Sequence, residues 1–140
     1  MSRIFWDTNL YIYLFEDYGK LSALAGDLRS KMLERGDQLL TSALTLGEIL
    51  VKPTEQGNAD LRRKYEHAIT ATSLVIRFDE DAAKRYAALR CDRSLRAPDA
   101  IQLACAASAR VDLFITNDNR LQNKRVPGIQ FIVPLDRAPI

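Results

Sequence analysis

The chain has 140 residues, of which 47% are hydrophobic and 27% charged, and its formal net charge is +2. This length predicts one domain spanning residues 1–140, and the composition excludes a disordered or low-complexity chain. The positive charge is too weak to indicate a nucleic-acid partner by itself, so any polyanion would have to meet a local basic patch.

Short apolar runs alternate with segments of helical spacing along the whole chain. We predict five strands, which are Arg3–Asp7, Gln38–Thr41, Leu74–Phe78, Leu113–Thr116 and Ile129–Val133. We predict six helices, which are Thr8–Phe15, Leu21–Arg35, Leu44–Lys52, Ala59–Thr72, a helix from the cap Asp79 to Arg90, and Asp99–Ala109. The third helix should stop before Pro53 and a polar linker at Thr54–Asn58, and a short helical turn is expected at Leu121–Lys124.

This alternation is typical of an α/β fold with a mainly parallel central sheet of five strands. Ile4, Phe5 and Trp6 are consecutive bulky residues, which indicates a strand covered by helices on both faces. Such sheets bind ligands beyond the carboxyl ends of their strands, near the point where the strand order reverses. Asp7 and Asp118 follow the first and fourth predicted strands, so their carboxylates meet if those strands are neighbours.

Four acidic residues fall at this edge of the predicted sheet, and each also has a local structural explanation. Asp7 could cap the helix that follows it, and Glu48 fits the spacing of a capping box. Asp99 lies in the first turn of a helix, where the macrodipole favours an acid, and Asp118 could form an Asx-turn. Together, however, four carboxylates without a basic partner in the same motifs would repel one another. A divalent cation would offset that repulsion, and all-oxygen ligands suit Mg²⁺ or Mn²⁺ better than zinc or copper.

The sulfur and imidazole side chains exclude other kinds of site. Cys91 and Cys105 lack C-x-x-C spacing and His67 is the single histidine, so a zinc site or a histidine-centred nucleophilic triad is not expected. No apolar run approaches the ~18 residues of a membrane span, and the first residues lack the basic-then-apolar pattern of a signal peptide. We therefore expect a cytoplasmic protein with reduced thiols and no membrane partner.

Four short motifs, taken in order, resemble one known family. The motifs are Asp7-Thr8-Asn9, an isolated Glu48, Ala97-Pro98-Asp99-Ala100 and Thr116-Asn117-Asp118. The ordered set resembles the PIN-domain ribonucleases over essentially the whole chain, and the length and layout are similar to the VapC-type toxins of toxin–antitoxin pairs. The first motif is weak by itself, whereas the ordered set in a chain this short is fairly specific.

The resemblance implies a three-layer α/β/α fold around a five-stranded, mainly parallel sheet. It implies an endonuclease that cuts RNA with Mg²⁺ or Mn²⁺, and it implies a protein antitoxin as a partner. The residues that match the family's catalytic and metal-binding acids are Asp7, Glu48, Asp99 and Asp118. The residues that match positions orienting those acids are Thr8, Asn9 and Thr116.

The expected chemistry is hydrolysis of a phosphodiester bond by an activated water. A cation held by carboxylates can acidify water, orient it for in-line attack and neutralise charge on the phosphoryl oxygens. Because water would be the nucleophile, we expect products with 5′-phosphate and 3′-hydroxyl ends. The sequence leaves open whether one ion or two bind, and whether Glu48 is a ligand or helps to deprotonate the water.

Two further segments could contact partners. Arg90, Arg93 and Arg96 lie in a basic stretch that leads to Asp99, and they are either phosphate contacts or charges of a solvated loop. Tyr11–Phe15 is apolar almost all round the predicted helix. Beyond core packing, it could form a homodimer interface or a groove for an antitoxin helix.

Other functional classes fit the strand-end acids less well. A phosphoryl-transfer enzyme of the haloacid dehalogenase type would need a second aspartate two residues after the first, and position 9 is Asn9. A receiver-type phospho-acceptor module would need an early acid pair that this chain does not clearly have. A non-catalytic PIN-like module that binds RNA or protein is the main alternative. An eroded acid set would favour it, and all four acids are present.

Overall fold

The computed structural model describes all residues from 1 to 140, and strands alternate with helices through most of the chain. The strands are β1 (Arg3–Trp6), β2 (Gln38–Ser42), β3 (Leu74–Ile76), β4 (Val111–Ile115) and β5 (Ile129–Val133). The helices are α1 (Thr8–Phe15), α2 (Lys20–Arg35), α3 (Ala43–Glu55), α4 (Ala59–Thr72), α5 (Glu80–Leu89) and α6 (Ala97–Ala109). A 3₁₀ turn at Leu135–Arg137 follows the last strand, and none of the helices combines the length and apolar character needed to cross a bilayer.

The five strands form one sheet in the order β3-β2-β1-β4-β5, and every neighbouring pair is parallel. The chain builds outward from β1 to β3 and then crosses back to place β4 on the other side of β1. The strand order therefore reverses between β1 and β4, where Trp6 pairs with Ile115. The two strand ends that precede the sequence-predicted acids are neighbours at this reversal, which is the usual place for a ligand site in parallel sheets.

Helices cover both faces of the sheet, so the predicted three-layer α/β/α architecture is confirmed. Successive residues of β1 point to opposite faces, as the pleat of a strand requires. Ile4 and Trp6 belong to an apolar cluster that includes buried residues of α1 to α4, whereas Phe5 belongs to a second cluster with α5 and α6. In the second cluster the rings of Phe5 and Phe114 stack with their centroids 5.0 Å apart. The run of three bulky residues in β1 is explained by this double coverage.

The predicted boundaries of most elements lie within two residues of the observed ones, and the differences at α3, at β3 and in the segment after β4 follow from local structure. Helix α3 does not stop before Pro53 but continues to Glu55, so residues 54 and 55 are helical and not part of a linker. Pro53 is buried, and its packing offsets the helix hydrogen bond that the ring removes so close to the helix end. Strand β3 stops at Ile76, because the chain then leads into the cap Asp79 of α5. Residues 119–123 form hydrogen-bonded turns and not a helix.

Gly128 lies at the one glycine position where a side chain would meet the backbone. Its φ is 99°, and a Cβ there would lie 2.5 Å from the carbonyl oxygen of Ala107 in α6. We predict that Gly128→Ala lowers the free energy of unfolding by at least about 2 kcal/mol, because it adds a strained backbone conformation to this collision. Urea denaturation measures the change.

Gly26→Ala is the matched control for this substitution. Gly26 lies inside α2 and a Cβ there would meet nothing within 4 Å. The control should leave stability unchanged or raise it by about 0.5–1 kcal/mol, since alanine is a better helix former than glycine. Equal stability of the two variants would contradict the role assigned to Gly128.

Candidate active site

The ends of β1 and β4 bring Asp7 and Asp118 to one edge of the sheet. The backbone N–H of Asp7 donates to the carbonyl of Ile115 at 3.1 Å, so the strand pairing continues up to the acid. The buried Thr116 then joins the two strand ends through its hydroxyl. Its Oγ1 donates to Oδ2 of Asp7 at 2.8 Å and accepts from the backbone N–H of Asp118 at 3.0 Å.

Asp7 carries the clearest sign that several charges share this edge. Burial raises the pKa of its carboxyl above the ordinary value, and the negative charges of Asp99 and Glu48 raise that pKa further. The hydrogen bonds from Thr116 and from the backbone N–H of Thr8, which lies 2.7 Å from Oδ1, lower the pKa without cancelling the rise. Asp99 and Glu48 are therefore each close enough to Asp7 to act on its carboxylate electrostatically.

Glu48 reaches the cluster from α3 through a threonine hydroxyl. Its side chain is exposed, but Oε1 accepts a hydrogen bond from Oγ1 of Thr8 at 2.6 Å. The capping box that the sequence allowed is not formed, because Ser42 is the N-cap of α3 and Glu48 lies beyond its first turn. The contact between Glu48 and Thr8 thus connects α3 to α1 at the acidic edge.

Asp99 and Asp118 are joined by a guanidinium that the sequence did not predict. Nε of Arg120 donates to Oδ1 of Asp118 at 2.9 Å, and Nη2 donates to Oδ2 of the same carboxylate. That Nη2 also lies 3.5 Å from Oδ2 of Asp99. Arg120 holds the pKa of Asp118 below its usual value. The sequence feature that could have predicted this contact is a cation two residues after a strand-end acid, because a tight turn brings residues at this spacing into contact.

The three arginines predicted to bind substrate have different positions. Nε of Arg96 lies 3.5 Å from Oδ2 of Asp99, so this cation borders the acidic edge. Arg90 contacts Tyr86 and none of the four acids. Its guanidinium lies 5.8 Å from the ring centre of Tyr86 and donates to the Tyr86 hydroxyl at 2.9 Å. Arg93 is exposed and takes part in no side-chain hydrogen bond or ion pair.

A lysine ties the loop of these arginines to the turn that carries Arg120. Nζ of Lys124 lies 2.7 Å from Oδ2 of Asp92 and 2.6 Å from Oγ of Ser94. The contacts with Lys124 and Ser94 lower the pKa of Asp92 to about 2. The loop before Asp99 is therefore held against the residues that follow Asp118.

Asn9 does not join the acidic cluster. The sequence resemblance implied that it orients the acids, but its side chain is exposed and makes no hydrogen bond. Its place is on the outward side of α1, one residue after the buried Thr8. The structure thus places Thr8 and Thr116 in contact with acids of this edge and leaves Asn9 outside.

The carboxylate oxygens of the four acids are ligands that suit a hard divalent cation, although their positions here do not form a complete coordination site. No three acidic, histidine or cysteine side chains are positioned to hold an ion together in this conformation. The available donors are carboxylate oxygens, which suit Mg²⁺ or Mn²⁺, and burial and neighbouring acids raise the pKa of Asp7, an effect that a cation would oppose. A cation here would compete with Arg120 for the carboxylate of Asp118.

Comparison with known proteins identifies the family. The sequence profile of the PIN domain matches residues 4–127. The chain belongs to the PIN domain family. No curated protein sequence matches it. The resemblance recognised from the four motifs is therefore confirmed at the level of the family.

The solved structures most similar to this PIN domain include several toxin–antitoxin complexes. A toxin–antitoxin complex from Klebsiella pneumoniae is 28% identical, with a TM-score of 0.62 over 90% of this chain and 94% of that chain. VapBC2 from Rickettsia felis, bound to a DNA fragment from its promoter, is 14% identical, with a TM-score of 0.74 over 94% of this chain and 98% of that chain. DNA-bound VapBC from Salmonella typhimurium is 18% identical, with a TM-score of 0.73 over 96% and 99% of the two chains. The last two likenesses show the shared fold.

The raised pKa of Asp7 predicts a pH-dependent stability. Between the ordinary pKa and the raised one, the folded chain binds more protons than the unfolded chain, so stability falls as pH rises through that range. Asp7→Asn removes this unfavourable charge. With EDTA present at neutral pH, its Tm should exceed that of the wild type, and the difference should shrink as pH falls toward about 4.

Thermal denaturation at several pH values measures this effect. Asp136→Asn is the matched control, since Asp136 is exposed and makes no side-chain hydrogen bond or ion pair. The control should show no comparable gain. A neutral-pH Tm of Asp7→Asn below that of the wild type would mean that the hydrogen bonds of the carboxylate outweigh its burial.

Proposed function

We propose that this PIN domain is a metal-dependent endoribonuclease and acts as the toxin of a toxin–antitoxin pair. The observation that carries the proposal is Asp7, a carboxylate at the β1/β4 reversal whose pKa is raised by burial and by Asp99 and Glu48. Membership of the PIN family supports nuclease activity. The toxin–antitoxin complex from Klebsiella pneumoniae supports an antitoxin partner.

The four acids would divide the work of the site. Asp7, Asp99 and Asp118 would hold Mg²⁺ or Mn²⁺, directly or through water, and Glu48 would be a further ligand or a base. A bound cation would acidify a water molecule and neutralise charge on the phosphoryl oxygens. Oε1 of Glu48 is held by the Thr8 hydroxyl, which leaves Oε2 to accept a proton from the attacking water.

Basic residues beside the acids would hold the RNA backbone. Arg96 and Arg120 both lie within 3.5 Å of Oδ2 of Asp99, so a phosphate that approaches this acid would meet two positive charges. Arg93 has its guanidinium free for a phosphate, whereas Arg90 would first have to leave Tyr86. Contacts of this kind steer and position RNA without reading its sequence.

The outward side of α1 is the proposed surface for protein partners in the cytoplasm. Leu10 and Tyr11 are buried in the core, so only part of the apolar stretch at Tyr11–Phe15 is available. Leu14 is 37% exposed, and Tyr18 just beyond the helix is 50% exposed. An antitoxin helix or the second copy in a homodimer would cover these apolar side chains.

The first test of the proposal is RNA cleavage by the purified protein. Total RNA should be cut in the presence of Mn²⁺ or Mg²⁺ and spared in EDTA, with 5′-phosphate and 3′-hydroxyl ends on the products. Asp7→Asn should lower the rate at least about 100-fold, since loss of groups that hold the metal has effects of this order. Glu34→Gln, an exposed acid near the end of α2 and so toward the opposite edge of the sheet, should cut like the wild type.

Two results would contradict this proposal in different ways. A 2′,3′-cyclic phosphate product would exclude water as the nucleophile. No metal-dependent cleavage by folded protein free of any bound inhibitor would favour a non-catalytic PIN module that binds RNA or protein. In that case the acids would serve as helix caps and as partners of Arg120.

Arg120 provides a second test that does not need RNA. We predict that Arg120→Ala raises the affinity for Mn²⁺ severalfold, because it removes a positive charge that repels the cation and competes with it for the carboxylate of Asp118. Isothermal titration calorimetry with MnCl₂ measures the affinity. Arg125→Ala is the control, since Arg125 is an exposed cation close by in the chain that makes no ion pair. Unchanged affinity in Arg120→Ala would show that its guanidinium does not compete with the metal.

A further inference from the structure

We infer that Gln102 is a positioning residue for the proposed nuclease site, and that its carboxamide fixes the direction in which Thr8 donates to Glu48. This inference rests on the proposed function. Gln102 lies on α6, one turn after Asp99, and is only 3% exposed. A buried carboxamide is unfavourable unless its donors and its acceptor are all used. Its neighbours in α6, from Ala100 to Ala107, are otherwise almost all apolar and buried.

Gln102 joins the starts of two other helices to α6. Its Nε2 donates to Oγ1 of Thr8 at 3.0 Å and to Oγ1 of Thr45 at 2.8 Å. Its Oε1 accepts from the hydroxyl of Ser42, the N-cap of α3. Both amide hydrogens and the amide oxygen are therefore engaged. The partners Ser42 and Thr45 are fully buried, so no water competes for these bonds.

The hydrogen bonds of this group can run in only one direction. An ionised glutamate only accepts, so the single hydroxyl hydrogen of Thr8 goes to Oε1 of Glu48 at 2.6 Å. Oγ1 of Thr8 must then accept from Gln102 and from the hydroxyl of Thr45, which lies 3.1 Å away. If the carboxamide were reversed, its oxygen would face both threonine hydroxyls and compete with Glu48 for the Thr8 hydrogen. The orientation seen here gives every donor one acceptor.

This direction matters because Glu48 is otherwise exposed. Its only side-chain hydrogen bond is the one from Thr8, so the Thr8 hydroxyl fixes the carboxylate at Oε1 and leaves Oε2 available. Asp99 and Gln102 are three residues apart and lie on neighbouring positions of one helix face. The contacts of Gln102 with Thr8 and Thr45 therefore also set the distance from Asp99 to the start of α1, next to Asp7, and to α3, which carries Glu48.

The test replaces the carboxamide without changing its size. Gln102→Met keeps the length of the side chain but removes its donors and its acceptor. We expect kcat for RNA cleavage to fall about tenfold or more, as loss of a residue that orients metal ligands does. The KM for RNA should stay within about twofold, because Gln102 is buried and cannot touch the substrate. The affinity for Mn²⁺, measured without RNA, should fall by a similar factor to kcat.

A second substitution tests the direction of the hydrogen bonds. Gln102→Glu has the same shape but lacks the two N–H donors of the carboxamide. Its carboxyl competes with Glu48 for the Thr8 hydrogen when it is ionised, and it donates at most one hydrogen bond when it is protonated. Its kcat should therefore fall below that of the wild type. Tyr11→Phe is the control for the loss of a buried hydrogen bond, since the Tyr11 side chain is buried and its hydroxyl lies 2.7 Å from Oγ of Ser73, next to the start of β3. This control should keep the wild-type kcat and affinity for Mn²⁺.

The outcomes separate this inference from the proposed function. If Gln102→Met equals Tyr11→Phe in kcat and in Mn²⁺ affinity, the positioning role is overturned. If the wild type itself does not cleave RNA, the proposed function fails, and the Mn²⁺ affinities of the same variants still decide the role of Gln102. Should Gln102→Met fail to fold, Thr45→Val removes one donor to Thr8 and one acceptor of Gln102. Its kcat should then fall about threefold, as a partial loss of the same support, and an unchanged kcat overturns the inference.

Discussion

The burial of the Asp7 carboxylate beside Asp99 and Glu48 at one sheet edge is the constraint on which the other features of the site depend. Burial and the charges of Asp99 and Glu48 raise the pKa of Asp7, so the fold must supply compensating donors. They come from different elements, namely the hydroxyl of Thr116 after β4 and the backbone N–H at the start of α1. The guanidinium of Arg120 forms ion pairs with Asp118 and Asp99, which lie further along the edge. Compensating the charge therefore also ties the ends of β1 and β4 to the helices around them.

Local capping and membership of the cluster are not competing explanations for Asp7. Its Oδ1 accepts from the first N–H of α1, as a helix cap would, while its Oδ2 accepts from Thr116 across the sheet. The two oxygens of one carboxylate serve both purposes. Glu48 differs, because it is not in a capping box and its hydrogen bond connects two helices. Asp7 thus satisfies the local rule of helix capping and also contacts the neighbouring strand end. Glu48 has no capping role, so local secondary structure does not explain its position.

The sequence predicts those features of the molecule that depend on local pattern. Three bulky residues at Ile4–Trp6 indicate a strand buried on both faces, and the family motifs place the acids at strand ends and helix starts. The contact of Arg120 with Asp99 could not be predicted, since it depends on how the turn after β4 folds back toward α6. The role of Gln102 could not be predicted either, because a single amide in an apolar helix does not interrupt the helical pattern. Its role follows only from the three hydroxyls that the starts of α1 and α3 bring to it.

The bridge made by Lys124 has a mechanical consequence for the entrance to the site. Lys124 lies four residues after Arg120, at the end of the same turns, and its ammonium group donates to Asp92 and Ser94 in the loop that carries Arg96. Arg96 and Arg120, which both lie near Asp99, are thus on two segments that Lys124 connects, and this contact restricts their independent motion. The spacing of these two cations therefore depends on a partly exposed ion pair, and added salt, which screens such a pair, would let the two arginines move more independently.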